Sequence, residues 1–351
     1  AQAVSQFPSL GSPAILRASR LAAQAMSKKA VVLGASGYVG SHVVSTLASR
    51  GWTVTGTVRN PDTAAWVKEA GAAELKPLTM APEPGSCDAA LDAILPGHDA
   101  VFFCSGFEVM DPSTIDFMVN NAVSVVRAAR RHKVGVVVLS SSGGSTNKPG
   151  HPNELPKNEI ANWSDPEVQK ANGRWSPAAK TLMEINALQE VGRNQANEVV
   201  DAAAAEGAPR LCIMNPNLIL GPQLAPGAIS GNSLPWMVAI LKGQRMNDKI
   251  PNDSMSTIDV RDLAALNVAC AETPGASGRY FGISGAWRWE EILTALNKAY
   301  PEFKVPPRFE GEAAIATQFD FSRRESLGVP MRTLQETCDD LVAFFKTRGA
   351  L

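Results

Sequence analysis

Ala30-Val31-Val32-Leu33-Gly34-Ala35-Ser36-Gly37-Tyr38-Val39-Gly40 is the stretch that decides the fold. An apolar strand runs into a turn with glycine at every third position, and a helix is expected from near Val39. That order opens a dinucleotide-binding βαβ unit. Gly34 permits the tight turn, Gly37 lets the backbone approach a pyrophosphate, and Gly40 lets the helix pack closely on the strand. The helix N-terminus contributes N–H groups and the positive end of its dipole. Gly34, Ser36, Gly37, Tyr38, Val39 and Gly40 are therefore the candidate phosphate-binding residues.

A second strand-like run, Trp52-Thr53-Val54-Thr55-Gly56-Thr57-Val58, ends at Arg59. That position, about twenty residues past the glycines, is where the adenine ribose is read. An acidic residue there would bind both ribose hydroxyls of NAD, whereas Arg59 offers a charge-assisted fork to the 2′-phosphate of NADP. The reading favours NADP(H) over NAD(H).

Further short apolar runs, Ala100-Val101-Phe102-Phe103-Cys104, Gly135-Val136-Val137-Val138-Leu139 and Arg210-Leu211-Cys212-Ile213-Met214, alternate with helical stretches. This is the pattern of a parallel sheet covered on both faces. Residues 112–132 and 178–206 are expected to be helical, and 145–174 to form a long loop facing the site. The fold class is α/β: a Rossmann-type doubly wound parallel sheet with a smaller C-terminal substrate lobe. The expected division is an N-terminal extension (1–28), a nucleotide domain (29–216) and a substrate lobe (217–351) interleaved with late elements of the nucleotide domain.

Among 351 residues the net charge is −1, so there is no basic face for nucleic acid. No apolar stretch approaches the length of a membrane-spanning helix. Five widely spaced cysteines read as reduced core residues, and four scattered histidines close no metal site. No Asp or Glu occurs before Asp62, and the Ala- and Ser-rich residues 1–28 carry Arg17, Arg20 and Lys28. This acid-poor segment is expected to be an organellar (mitochondrial or chloroplast) leader or a docking segment for a protein partner. The alternative location is the cytoplasm, with Met26 as the start of a leaderless protein.

Ser140, Ser141 and Ser142 close one strand, in the crevice where open α/β folds bind ligands. Together with Asn162-Trp163-Ser164-Asp165, Asn215-Pro216, Gly221-Pro222, Ile258-Asp259-Val260-Arg261-Asp262 and Ala276-Ser277-Gly278-Arg279-Tyr280, these motifs are quite specific. The chain resembles the extended short-chain dehydrogenases/reductases of the cinnamoyl-CoA reductase and dihydroflavonol 4-reductase type. The resemblance implies a Ser-Tyr-Lys mechanism in which the tyrosine donates a proton to a carbonyl that accepts hydride from nicotinamide. Carried over, it places the carbonyl holder at Ser142 (or Ser141), the lysine at Lys180, and Asn215 and Pro216 among the cofactor contacts.

In Arg174-Trp175-Ser176-Pro177-Ala178-Ala179-Lys180 the tyrosine position is held by Ser176. An aliphatic hydroxyl is far less acidic than a phenol, whose pKa is about 10. Losing a positioned general acid costs a factor of about 10²–10⁴ in rate. Tyr38, Tyr280 and Tyr300 are the chain's only tyrosines; Tyr300 alone has a lysine four residues on, Lys304, but it stands near a helix end far along the chain from the serine cluster. Two further departures are a missing adenine-side Asp near Lys76-Pro77-Leu78-Thr79-Met80 and extra length between Lys180 and Asn215, expected beside the site. The first functional reading is a NADP(H)-binding accessory, structural or redox-sensing subunit of an organellar assembly with weak or no activity. The alternative is an active NADPH-dependent carbonyl reductase whose proton comes from water or another group.

Overall fold

A computed structural model of the chain describes residues 27–106 and 110–351. Nearly all of the acid-poor segment 1–28, and with it the expected leader or docking role, lies outside the described residues.

Seven strands form one fully parallel sheet: β1 Lys29–Leu33, β2 Thr53–Val58, β3 Glu74–Pro77, β4 Ala100–Phe103, β5 Val136–Ser140, β6 Arg210–Pro216 and β9 Gly278–Gly282. Their spatial order is β3-β2-β1-β4-β5-β6-β9, with β1 paired to both β2 and β4. The expected α/β class is the one observed. Residues 30–33 of β1 are all fully buried, yet they serve two layers. Ala30 and Val32 pack with Val43, Val44, Leu47 and Leu263 on one face. Val31 and Leu33 pack with Met118, Val125, Met183 and Ala187 on the other. A strand with helices on both faces needs an apolar residue at every position, because successive side chains point opposite ways.

A smaller unit stands at the sheet's carboxyl edge. Its three-stranded sheet, in the order β10-β8-β7, comprises β7 Leu218–Leu220, β8 Ser254–Asp259 and β10 Gly285–Arg288. Helices Ser233–Leu241, Trp289–Ala299 and Leu334–Thr347 enclose it around a third apolar core. Trp236 and Trp289 meet edge to face at 5.4 Å within that core. The chain passes from β6 into this unit and returns for β9, so the two cores are interleaved.

The units are also fastened near the glycine turn. Tyr38 Oη donates to the Gly221 carbonyl (2.8 Å), and His42 Nε2 lies 2.9 Å from the Pro222 carbonyl. Asp259 caps the helix Val260–Glu272 and pairs with Arg261, which reaches Asp340 as well. At β9, an edge of the large sheet, Arg323 donates to the carbonyls of Arg279 (3.0 Å) and Ser277 (2.6 Å).

Two local expectations change. The helix expected over 178–206 runs Trp175–Glu190 and stops. Gly192, in a left-handed conformation with φ +68°, sends the chain into a tight turn bridged between Arg193 and Val199. The extra length therefore does not lie beside the site. Asn197 packs on Gly278, the first residue of β9, and its amide donates to Ser277 Oγ at 3.1 Å. That is the amino-terminal edge of the sheet, while ten residues of helix back to Lys180 span about 15 Å. Second, the expected loop 145–174 contains a helix, Pro166–Ala171, capped by the Asp165 carboxylate.

Gly40 tests the packing directly. A Cβ there would stand 2.2 Å from the Gly34 carbonyl oxygen. Gly40→Ala should lower stability by about 1–3 kcal/mol in denaturant titration, because the helix must lift off the turn.

Candidate active site

The glycine turn sits at the carboxyl end of β1. Gly34 takes φ +79°, and Gly37 starts the helix Tyr38–Ser49 with no side-chain cap, so the first turn's N–H groups point at an uncapped mouth. Beside it lies a cleft of about 460 Å³, lined by Gly34, Ser36, Gly37, Thr57 to Arg59, Leu78 to Met80 and Cys104 to Gly106, among others. Gly37 and Ser36 are exposed to it, and Arg59 stands on its rim at the end of β2. Leu78, Thr79 and Met80 present no carboxylate at the adenine side. These are the features a dinucleotide requires: a phosphate cradle, an elongated groove and a cation at the ribose end.

The other turn candidates meet different partners. Tyr38 is held by Gly221, and burial pushes its hydroxyl well above the usual phenol range. Val39 packs against the core, and Gly40 is buried against Gly34. Only their backbone N–H groups can serve a phosphate.

Past Cys104, the carboxyl ends of β5 and β6 meet the first turns of the helix Trp175–Glu190. Lys180 donates from Nζ to the Ser140 carbonyl at 2.7 Å. Burial lowers its pKa to about 8, against partial support from Glu184 and Cys104. Ser176 is one turn earlier on the same helix, half-buried. Cys104, half-buried where it lines the cleft, has a thiol pushed up to about 11 by burial and accepts from Ser140 Oγ at 3.5 Å. The other four cysteines are buried and free.

The three serines divide their work. Ser142 Oγ accepts from Gly144 N at 3.0 Å, capping the short 3-10 turn Gly143–Thr146. Ser141 Oγ instead turns inward and donates to Glu184 Oε1. Asn215 donates to that same oxygen (2.7 Å), to the Ser142 carbonyl (3.1 Å) and to Ser145 Oγ (3.0 Å). Its amide and the buried Pro216 thus brace the strand end. The remaining tyrosines are engaged elsewhere: Tyr280 Oη accepts from Ser277 N, and Tyr300 lies under Lys346.

Sequence reasoning missed Glu184 and the depth of Arg279. Glu184, four residues after Lys180, is fully buried, and its Oε2 faces Arg279 Nε at 2.8 Å. Arg279 is 1% exposed and donates to the carbonyls of Glu159, Asn162 and Ser145 while stacking on Trp163 at 3.7 Å. The i, i+4 spacing of Lys180 and Glu184 was visible, but the partner on β9 was not.

Fold and site together define a nicotinamide-dinucleotide-binding α/β protein. Residues 34–184 match a family model described as NAD(P)H-binding. Cinnamoyl-CoA reductase 1 of Arabidopsis thaliana is 30% identical over 334 residues, covering 92% of this chain and 91% of the relative. Cinnamoyl-CoA reductase 2 of the same plant is 31% identical, covering 92% and 94%. A yeast methylglyoxal/isovaleraldehyde reductase solved with NADPH shares the fold at TM-score 0.77 and 20% identity, over 92% of this chain and all of that one. The chain belongs to the NAD(P)-binding short-chain dehydrogenase/reductase family, with relatives of the cinnamoyl-CoA reductase and dihydroflavonol 4-reductase type.

Lys180 makes a pH test possible. Its folded pKa of about 8 lies below the ordinary lysine value, so between these values the unfolded chain binds more protons than the native one. Stability should rise with pH across about 8 to 10.5 relative to Lys180→Met, and the two should run parallel below pH 8. Urea titrations of both chains at five pH values would show it. Parallel curves throughout would mean that Lys180 titrates normally.

Proposed function

We propose that the protein is an NADPH-dependent reductase of a carbonyl compound, an aldehyde, ketone or acyl-CoA thioester, working without the phenolic acid. The observation that carries this is Lys180, an ammonium buried at the carboxyl edge of the sheet and aimed at the Ser140 carbonyl beside the cleft. Relatives spanning nine-tenths of the chain are named as reductases, which supports activity over the accessory-subunit expectation. When bound, NADPH supplies the hydride. Gly34, Ser36, Gly37 and the helix N-terminus hold its pyrophosphate, and Arg59 its 2′-phosphate.

Ser142, whose oxygen already accepts from Gly144, holds the substrate carbonyl by a hydrogen bond from its hydroxyl and keeps its proton. Ser176 takes the position of the family's tyrosine and is too short to reach the substrate oxygen. A water held between Ser176 and Lys180 gives its proton to the carbonyl oxygen and takes one from the Lys180 ammonium, which regains it from solvent. The water-mediated route is slower than a phenol's by a factor of about 10²–10⁴.

Ser176 also favours a second reading, a cofactor-binding subunit with its chemistry lost, brought to an organelle by residues 1–28. Fluorescence titration with NADPH and NADH, followed by an aldehyde, ketone and acyl-CoA panel, separates the two. Tighter binding of NADPH than NADH is expected, with the preference lost in Arg59→Ala. Slow turnover by the native chain, rising in Ser176→Tyr and abolished in Lys180→Ala, is the expected result. Binding without any turnover would establish the silent-subunit reading instead.

A further inference from the structure

One fully buried and heavily committed carboxylate is not among the residues that the reaction scheme uses. Glu184 is fully buried and sits one turn beyond Lys180 on the same helix face. Its Oε1 accepts from Ser141, Ser145 and Asn215, and its Oε2 faces Arg279 of β9. One of those donors continues to Ser142: Asn215 Nδ2, through its second N–H, also donates to the Ser142 carbonyl at 3.1 Å, while the single Ser145 proton serves either Glu184 or that carbonyl. One carboxylate thereby ties together the ends of β5 and β6, the turn that Ser142 caps, and β9.

We propose that Glu184 is a positioning residue for the reaction: its carboxylate fixes Ser142 through Asn215 and sets a negative charge against the Lys180 ammonium. The inference rests on the reductase reading for its kinetic consequence and on geometry for the rest. The groups facing Lys180 are Glu184 on its own helix, Cys104 at the end of β4 and the Ser140 carbonyl of β5. Behind Glu184 stand Arg279 and, against Phe281 N, the buried Glu159. Cys104 stays a thiol at neutral pH, so Glu184 is the anion that offsets the desolvation of Lys180. Without it, Lys180 would lose its proton nearer neutrality, and a proton relay ending on that amine would fail at lower pH.

The test has an arm that needs no substrate. Protein with ¹³C,¹⁵N-labelled lysine is titrated by NMR, with Lys180 assigned by the signal lost in Lys180→Arg. In Glu184→Gln, which keeps the shape and the hydrogen-bond acceptor, the Lys180 midpoint should fall by about one pH unit. Glu184→Asp, which restores the charge, should recover most of the shift. If the single variant does not fold, Glu184→Gln/Arg279→Gln removes both buried charges and should move the midpoint the same way.

A midpoint unchanged in a folded Gln variant would overturn the proposal, since a merely structural carboxylate leaves Lys180 alone. In the kinetic arm, with NADPH and cinnamaldehyde, kcat should fall at least tenfold in Glu184→Gln, with its alkaline limb moved down and NADPH affinity kept. A kcat and pH profile matching the native chain would count against the positioning role. No turnover by the native chain on any carbonyl of the panel would sink the reductase reading, while the NMR midpoint still decides whether Glu184 governs Lys180.

Discussion

A guanidinium with almost no contact with water organises this site. Arg279 could not be buried unpaired, because desolvating a charge without partners costs several kcal/mol even after relaxation. Its partners come from everywhere the site needs order: Glu184 from the helix that bears Lys180, the Ser145 carbonyl from the turn after β5, and the Glu159 and Asn162 carbonyls from the long loop. Trp163 closes over the flat face of the ion. Residues 145–174 therefore act as a solvation shell, and a long loop is held in one conformation by a charge that has nowhere else to go. An apolar residue of equal volume could fill the space, but it would take the Arg279 donor from the Glu159 and Asn162 carbonyls, whereas the Ser145 carbonyl would keep Ser164 N.

Legibility in the sequence followed the range of the interactions. The glycine turn, the burial of the strands on both faces and the place of Arg59 at the end of β2 are local, set by backbone sterics and period-two patterning, and they could be read directly. The Tyr38 contact with Gly221 joins residues far apart in the chain, so the same Tyr38 that reads as a phosphate neighbour proves to fasten the smaller unit. Ser141 and Ser142 look alike in sequence. Strand alternation points one toward Glu184 and leaves the other to cap a turn. The helix over 178–206 was overextended because its alanines suit a helix throughout, whereas Gly192 and the left-handed Asn197 enforce a turn that propensity scarcely records.

Between the two units the fastening combines backbone carbonyls with the ion pair of Arg261 and Asp340. The helix Tyr38–Ser49 reaches Gly221 and Pro222 through Tyr38 and His42, and burial keeps His42 below its usual pKa and hence neutral, donating to the Pro222 carbonyl. The helix that follows the glycine turn is thus the one that locates the start of the smaller unit. Placement of a substrate against a cofactor is then a property of one rigid element and not of a flexible hinge.

Arg323 gives the large sheet an ending. The carbonyls of Ser277 and Arg279 on the outer side of β9 would otherwise form an open ladder, and an open ladder invites another polypeptide to add a strand. The guanidinium occupies them as a molecular full stop, while Asn197 covers the first glycine of the same strand. A neighbouring copy approaching this flank finds its hydrogen bonds already taken.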